Sequence, residues 1–378
     1  MDFRHPITLS GLELHPLTAV GGVSPNMALG QMPVRPALLV KLIDTEGCFG
    51  WGEIWANFPP RAHTHKAHLV EDVVVRELTD LRFSTPLELT EHLRTRLATY
   101  FLHIGQQAVF EHILAGLDTA AWDLCLRASG QSFSDFMGVE PRAECYASSL
   151  NPNDLGKRLH DHGALGQTEF KLKIGFTLED DCAFVARAAE QKPEGARLMI
   201  DSNQRWDVNQ AQDMLARLEP FDLLFAEESI PADAPLASWE ALARHSKTPL
   251  AGGENLYGVE QFLAMANAGV RFLQPDVAKW GGVTGALELA RALPEGTRLW
   301  PHFMGSEIGQ QAALAVSAAI GAGSKCEMDV NENALRTALC GGAGEPIENG
   351  TVALMTDPGL VRPPKSEHLI THRAAEAA

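Results

Sequence analysis

Lys171 and Lys173, then Asp201, Glu227, Glu254, Asp276, His302 and Glu327, follow one another along this chain at nearly even intervals. Counted from Lys173, the gaps are 28, 26, 27, 22, 26 and 25 residues. An interval of that size holds one strand and one helix, so each side chain occupies the same place in a repeating unit. Asp201, Glu227 and Glu254 come from three consecutive units. Three carboxylates with no cysteine or histidine among them make a hard-oxygen site. Such a site suits Mg²⁺, which keeps waters and shares its coordination with substrate, whereas zinc calls for nitrogen or sulfur. The metal then needs a substrate oxygen to polarise, most simply a carboxylate. Lys173 and His302 belong to the second and seventh units and are expected on opposite sides of that metal. Lys171 and Mg²⁺ should both disfavour a second cation at Lys173, leaving a neutral amine able to act as base. Asp276, one unit before His302, can accept the imidazole Nδ1–H and fix the tautomer. Glu327, if protonated, could donate to the substrate carboxylate as charge accumulates there.

Each of these residues also has a plainer role open to it. A carboxylate at a strand end often caps a helix, a single histidine is often structural, and a Lys-x-Lys pair is usually solvated. Together the plainer roles fail, because gathering so many charges at one end of a folded unit is costly unless they pair or bind a metal.

The elements that must position these groups can be read from the hydrophobic pattern. Strand-like runs fall at Tyr146–Leu150, Phe170–Ile174, Arg197–Asp201, Leu223–Glu227, Pro249–Gly253, Arg271–Pro275, Arg298–Pro301 and Lys325–Met328. Helical patterns lie between them, among them Leu178–Glu190, Val208–Leu218, Pro235–Ser246, Val259–Ala268 and Val283–Leu293. Strands alternating with helices imply a parallel sheet. Eight such units in about 190 residues fit a closed (β/α)8-type barrel, in which chemistry sits at the C-terminal strand ends. An open doubly wound sheet needs a Gly-rich turn after its first strand, and Ser148–Asp154 has none. In a strand, residues two apart share a face, so Lys171 and Lys173 both point into the barrel mouth.

The residues ahead of the barrel read differently. Leu38–Ile43 and Cys48–Ile54 flank Asp44-Thr45-Glu46-Gly47, a hairpin signal. Pro25–Pro36 and Asn57–His65 read as loops, and His68–Arg127 as helical. The expected organisation is an α+β capping domain over residues 1–130, the barrel over 131–340, and a C-terminal segment, 341–378, packing back on the cap.

Composition sets limits on partners. The chain has 378 residues, 45% hydrophobic and 21% charged, which is globular, and a net charge of −17. Nucleic acid and anionic lipid are polyanions and are not expected as main partners. No apolar run approaches the roughly 20 residues of a membrane span, and Met1–Pro6 does not open a signal peptide. The six cysteines are scattered without a C-x-x-C and read as free thiols, so a reducing cytoplasm is the expected compartment.

With these motifs in place, the chain resembles the enolase superfamily and, within it, the mandelate racemase subgroup. The resemblance rests on Lys171-Leu172-Lys173, Asp201-Ser202-Asn203, Glu227-Glu228, Gly253-Glu254-Asn255, the run from Asp276 through Lys279 to Gly285, His302 and Glu327. Muconate-lactonising relatives usually have Asp as third ligand and a lysine on strand six as second base. Here Glu254 stands as third ligand, and Asp276 with His302 supplies the dyad. Ser229 departs from the proline common after the paired glutamates, and spacing favours Glu227 over Glu228 as the ligand. The resemblance implies Mg²⁺-dependent removal of the proton α to a carboxylate, giving an enediolate, with a small-molecule carboxylate as substrate. It places Lys171 and Glu327 with the catalytic groups, and Asn203, Lys279 and Arg61 at the substrate. Dehydration of an acid sugar is the subgroup's commonest task; racemisation or epimerisation of an α-substituted acid uses the same groups. The family's specificity loops map to Gly21–Met32 and Asn57–His65, where Arg61, His63 and His65 either meet the distal end of the substrate or are solvated. Family members are commonly homo-oligomers.

Overall fold

A computed structural model describes residues 3, 6–19, 26–27, 30–31, 34–341 and 346–374. All eight expected runs are strands: Arg142–Leu150, Glu169–Lys173, Arg197–Asp201, Ala226–Glu227, Leu250–Gly252, Phe272–Leu273, Arg298–Leu299 and Cys326–Asp329. Each of the first six pairs in parallel with the next, and the eighth pairs in parallel with the first. The ring closes between strands seven and eight, where the Glu327 N–H donates to the Pro301 carbonyl at 3.1 Å. The fold is therefore the expected TIM-type barrel with an N-terminal cap.

Inside the barrel, Tyr146, Met199, Phe225, Ala251, Phe272 and Trp300 form a packed plug. A larger apolar layer fills the space between strands and outer helices. The helices begin where the sequence offers caps. Thr177 accepts from the Asp180 N–H, and Asp207 forms a reciprocal capping box with Gln210. The eighth unit is reduced to one short helix, Ala334–Thr337. The chain then crosses under the barrel as Thr351–Ala353, antiparallel to the first strand. It ends against the cap, where Thr18 donates to the His372 carbonyl and Ala374 to that of Pro16.

The cap is a four-stranded sheet, ordered Phe49–Ile54, Pro36–Asp44, Ile7–Thr18, Arg82–Phe83, with helices Pro86–His103 and Gln107–Ser129 against it. Asp44 makes the hairpin turn, its carboxylate accepting from the Glu46 and Cys48 N–H groups at 2.9 and 2.7 Å. The helix Gln107–Ser129 lies so close to the hairpin that a Cβ at Gly52 would sit 2.1 Å from the Gly116 carbonyl oxygen. Only glycine fits there.

Two expectations change. Asn57–His65 is not all loop, because a helix begins at Ala62 and runs to Leu69. Ala62, His63, Lys66 and Ala67 are its buried residues, so its inward face is polar and gives no apolar period to read. The first strand, Ile7–Thr18, was not expected as an element; it pairs antiparallel with Pro36–Asp44 along nearly its whole length. The first specificity segment, Gly21–Met32, lies outside the described residues except for the short ladder of Asn26–Met27 with Gly30–Gln31.

Cap and barrel are joined by buried polar contacts. The Glu53 carboxylate accepts from Ser306 N–H at 3.0 Å, from its hydroxyl at 2.5 Å and from Gly309 N–H at 3.0 Å, at the start of helix Glu307–Ile320. Asp329, on the eighth strand, holds Arg35 of the cap at 3.0 Å and Arg336 at 3.1 Å. Burial alone would raise the Asp329 carboxyl, but Arg336 and then Arg35 hold it at about 2. An unfolded Asp ionises near 3.9, so the pair contributes about 2–3 kcal/mol of stability above that pH. That stability is lost as the pH falls towards 2. Asp329→Asn should lower the melting temperature near neutrality, and the gap to the parent protein should narrow between pH 4 and 2. A gap of constant size would remove the pair from the account of acid stability.

Candidate active site

The C-terminal ends of the strands gather the charged groups. In register, Lys173 stands opposite Asp201, and Asp201 opposite Glu227, so the second, third and fourth strands present them at one level. Glu254 follows the fifth strand after Gly253, whose φ is 138° and where a Cβ would meet the Phe262 ring at 2.8 Å. Glycine lets the chain turn there and bring Glu254 over the mouth. Asn203 and Glu228 hold left-handed backbone, φ 46° and 44°, a strain that clusters at functional sites. The turn at Glu228 separates the paired glutamates. Glu227 points into the barrel, where Lys171 reaches it at 2.6 Å, while Glu228 binds Asn255 at 2.7 Å and Gln204 at 3.1 Å.

Glu228 apart, the carboxylates here face cations. Lys173 donates to Asp201. Lys171 pairs with Glu227 at 2.6 Å and Glu327 at 2.8 Å. His302 Nε2 lies 2.5 Å from Glu254, and its Nδ1 lies 2.9 Å from Asp276. Lys279 lies 3.6 Å from Glu254 and donates to Asn255 at 3.0 Å. Asn203 donates to Asp201 through its backbone at 2.8 Å and its side chain at 3.2 Å. Thus Lys171, Lys173, Asp201, Asn203, Glu227, Glu254, Asp276, Lys279, His302 and Glu327 are gathered at one end of the barrel. As they stand, no group of three acidic, imidazole or thiol side chains among the described residues is placed to hold a metal ion, because the acids lean toward the cations.

The donor set nevertheless fits a hard divalent cation. It offers only carboxylate oxygens from three neighbouring strands, and Asn203 Oδ1 is buried beside Asp201 without a partner. Burial pushes the Glu227 carboxyl up to about 7 against the pull of Lys171, so additional positive charge there is favourable.

A neutral Lys173 was expected from Lys171 together with Mg²⁺. Without the ion's charge, burial and Lys171 lower its proton affinity, while Asp201, with Glu227 and Glu327, holds the ammonium above its ordinary range. Burial would raise the Glu327 carboxyl, but Lys171 and then His302 hold it below its ordinary value, and it accepts from Ser148. His302 is held well above its ordinary value, burial being overcome by Glu254 and then Glu327.

Arg61 is not brought to this cluster. It is exposed, just ahead of helix Ala62–Leu69, and no hydrogen bond or ion pair among the described residues ties it to the site. His65 is exposed, whereas His63 is buried, 3.3 Å from the Thr18 hydroxyl. Sequence reasoning missed Gln274, which donates to Glu227 at 2.6 Å. Its place two residues before Asp276, on the same strand face, was an available signal. It also missed Lys66, buried on the inward face of the Ala62–Leu69 helix, where a Thr-His-Lys run gave none.

Residues 155–364 match the family described as enolase C-terminal domain-like, and residues 18–138 match the N-terminal domain of mandelate racemase/muconate lactonizing enzymes. The chain belongs to the enolase superfamily. Within it the chain sides with the mandelate racemase subgroup. A mandelate racemase/muconate lactonizing enzyme from Bordetella bronchiseptica RB50 is 35% identical, with a TM-score of 0.88 over 97% of this chain and 99% of that one. D-galactarolactone cycloisomerase of Agrobacterium fabrum is 28% identical over 86% of this chain and 88% of its own length. Arabinonate dehydratase of Saccharolobus solfataricus is 26% identical over 95% of this chain and 91% of its own. Superfamily members bind Mg²⁺. No helix among the described residues is long and apolar enough to cross a membrane.

Proposed function

We propose that this enzyme-family member removes the proton α to the carboxylate of an acid sugar and eliminates the β-hydroxyl, leaving a 2-keto-3-deoxy acid. One observation carries the reading: Lys173 and the Asp276-bound imidazolium of His302 stand on strands two and seven, with Asp201, Glu227 and Glu254 on the strands between. The names of the curated relatives, an acid-sugar dehydratase and a sugar-lactone cycloisomerase, support it. Asp201, Glu227 and Glu254 would hold Mg²⁺, with Asn203 Oδ1 close by. When bound, the ion supplies positive charge against the substrate carboxylate as negative charge develops there.

The rest falls to the side chains. Lys173 can accept the α-proton only when its ammonium has given up a proton, which requires Asp201 to be shared with another positive charge. His302 is charged as it stands, and its Nε2–H can protonate a departing hydroxyl while Asp276 holds Nδ1. Lys171, fixed between Glu227 and Glu327, keeps positive charge where a substrate carboxylate would lie. We infer a cytoplasmic enzyme that takes a small carboxylate, works as a homo-oligomer and uses neither nucleic acid nor membrane as partner.

The test is incubation with Mg²⁺ and a library of aldonic, aldaric and uronic acid-derived sugars, with keto acid trapped by semicarbazide. At least one member should yield the semicarbazone. No keto acid from any member, together with inversion of a simple α-substituted acid, would replace this reading with the racemase. Opening or closing of a lactone without loss of water would replace it with the cycloisomerase.

A further inference from the structure

Among the described residues, Lys66 is a buried cation with no acid beside it. It is 3% exposed. Its Nζ donates to the Trp55 carbonyl and lies 2.8 Å from His112 Nδ1. His112 in turn meets the Tyr257 hydroxyl at 3.1 Å, through Nε2. All of these partners are neutral, and among the described residues no carboxylate pairs with Lys66. Residues 20–33 contain no Asp or Glu. Burying an ammonium without a counter-charge costs several kcal/mol, and here burial and then Lys279 draw the Lys66 pKa down to about 7.

The lysine is placed where the cap meets the mouth. Trp55, at the end of the hairpin, donates from its backbone to the Ala278 carbonyl at 3.2 Å, just after the sixth strand. Its indole is shared by two ammoniums: Lys66 Nζ is 4.7 Å and Lys279 Nζ 4.8 Å from the ring centroid. Lys279 reaches on to Glu254 and Asn255. Two cations on one indole, one of them without an anion among the described residues, make a place that attracts negative charge and lies next to the groups assigned to the reaction.

We propose that Lys66, with Lys279 on the same indole, forms a second anion subsite at the seam of cap and barrel, taking the distal carboxylate of a dicarboxylic acid sugar. The proposal rests on the acid-sugar reading above and narrows it from acid sugars in general to aldaric acids. It moves the distal contact from Arg61, which is exposed, to Lys66, which is buried.

The test is equilibrium binding in Mg²⁺ of acid pairs that differ only at the far carbon, with galactarate against galactonate as the first pair and pentaric against pentonic acids after it. The intact protein should bind one diacid at least tenfold more tightly than its monoacid, the scale of one charge-assisted contact. Lys66→Met should bring that preference to within twofold, and Lys66→Arg, which keeps the cation, should retain most of it. Melting temperatures of both variants with Mg²⁺ separate lost folding from lost recognition. A preference that survives Lys66→Met, equal affinity within every pair, or equal loss of both acids in both variants would overturn the subsite. Lysine-dependent binding of a diacid with no keto acid formed from any acid sugar would uphold the subsite and overturn the dehydratase. Failure of the intact protein to bind any member of any pair would overturn both.

Discussion

In D₂O, a substrate with a free α-proton should exchange it for deuterium, and Lys173→Ala should stop exchange from one configuration at the α-carbon. His302→Asn should stop exchange from the other. Each loss should be about 10²–10⁴-fold, the usual contribution of one positioned acid or base. The expectation comes from placement: Lys173 ends the second strand and His302 follows the seventh, with the three carboxylates between them. Proton NMR of the substrate pool reads exchange directly, even where no net product forms. Lys279→Ala is the informative contrast. Lys279 sits on the same loop as Asp276 and pairs with Glu254 at 3.6 Å, so it is close enough to compete for the second role. If Lys279→Ala stops exchange while His302→Asn leaves it intact, the second base is the strand-six lysine of the muconate-lactonising arrangement, and the His302–Asp276 dyad is structural.

The same experiment bears on the protonation states. Both candidate groups are held in their charged forms by acids, Lys173 by Asp201 and His302 by Glu254. The sequence foresaw a neutral Lys173 from Lys171 together with Mg²⁺. It could not foresee the direct ion pair with Asp201, since that depends on the strand register that sets Lys173 against Asp201. The period of the charged residues was legible because a closed barrel repeats one unit, and a residue at each strand end inherits that repeat. The hairpin was legible because Asp44 and Gly47 are turn residues between two apolar runs. The Ala62–Leu69 helix was not, because its buried face carries His63 and Lys66 in place of apolar side chains. Long-range partners were likewise hidden: nothing local in Arg35 announces Asp329, 294 positions away.

Removing divalent metal should abolish turnover, and Mg²⁺ should restore it. Asp201→Asn, Glu227→Gln and Glu254→Gln should each lower turnover by more than about 10³-fold, as loss of charge stabilisation at the reacting centre does. These substitutions have a second consequence, because each acid also neutralises a buried cation. Asp201→Asn strips Lys173 of its ion pair, and Glu227→Gln leaves Lys171 with Glu327. Breaking one partner of a buried pair costs about 3–5 kcal/mol, so a fall in activity alone would not distinguish a ligand from a structural acid. Glu254 differs, since its side chain is 15% exposed where those of Asp201 and Glu227 are 1%. Its loss should cost less stability while costing as much activity. Metal-dependent melting separates the two roles. Saturating Mg²⁺ at about 100 times its dissociation constant stabilises a folded protein by about 2.7 kcal/mol. The parent protein should show that rise in melting temperature, and none of the three variants should. Full activity after exhaustive chelation would remove the metal from the mechanism, and tight zinc with no response to magnesium would point to a hydrolase on the same barrel.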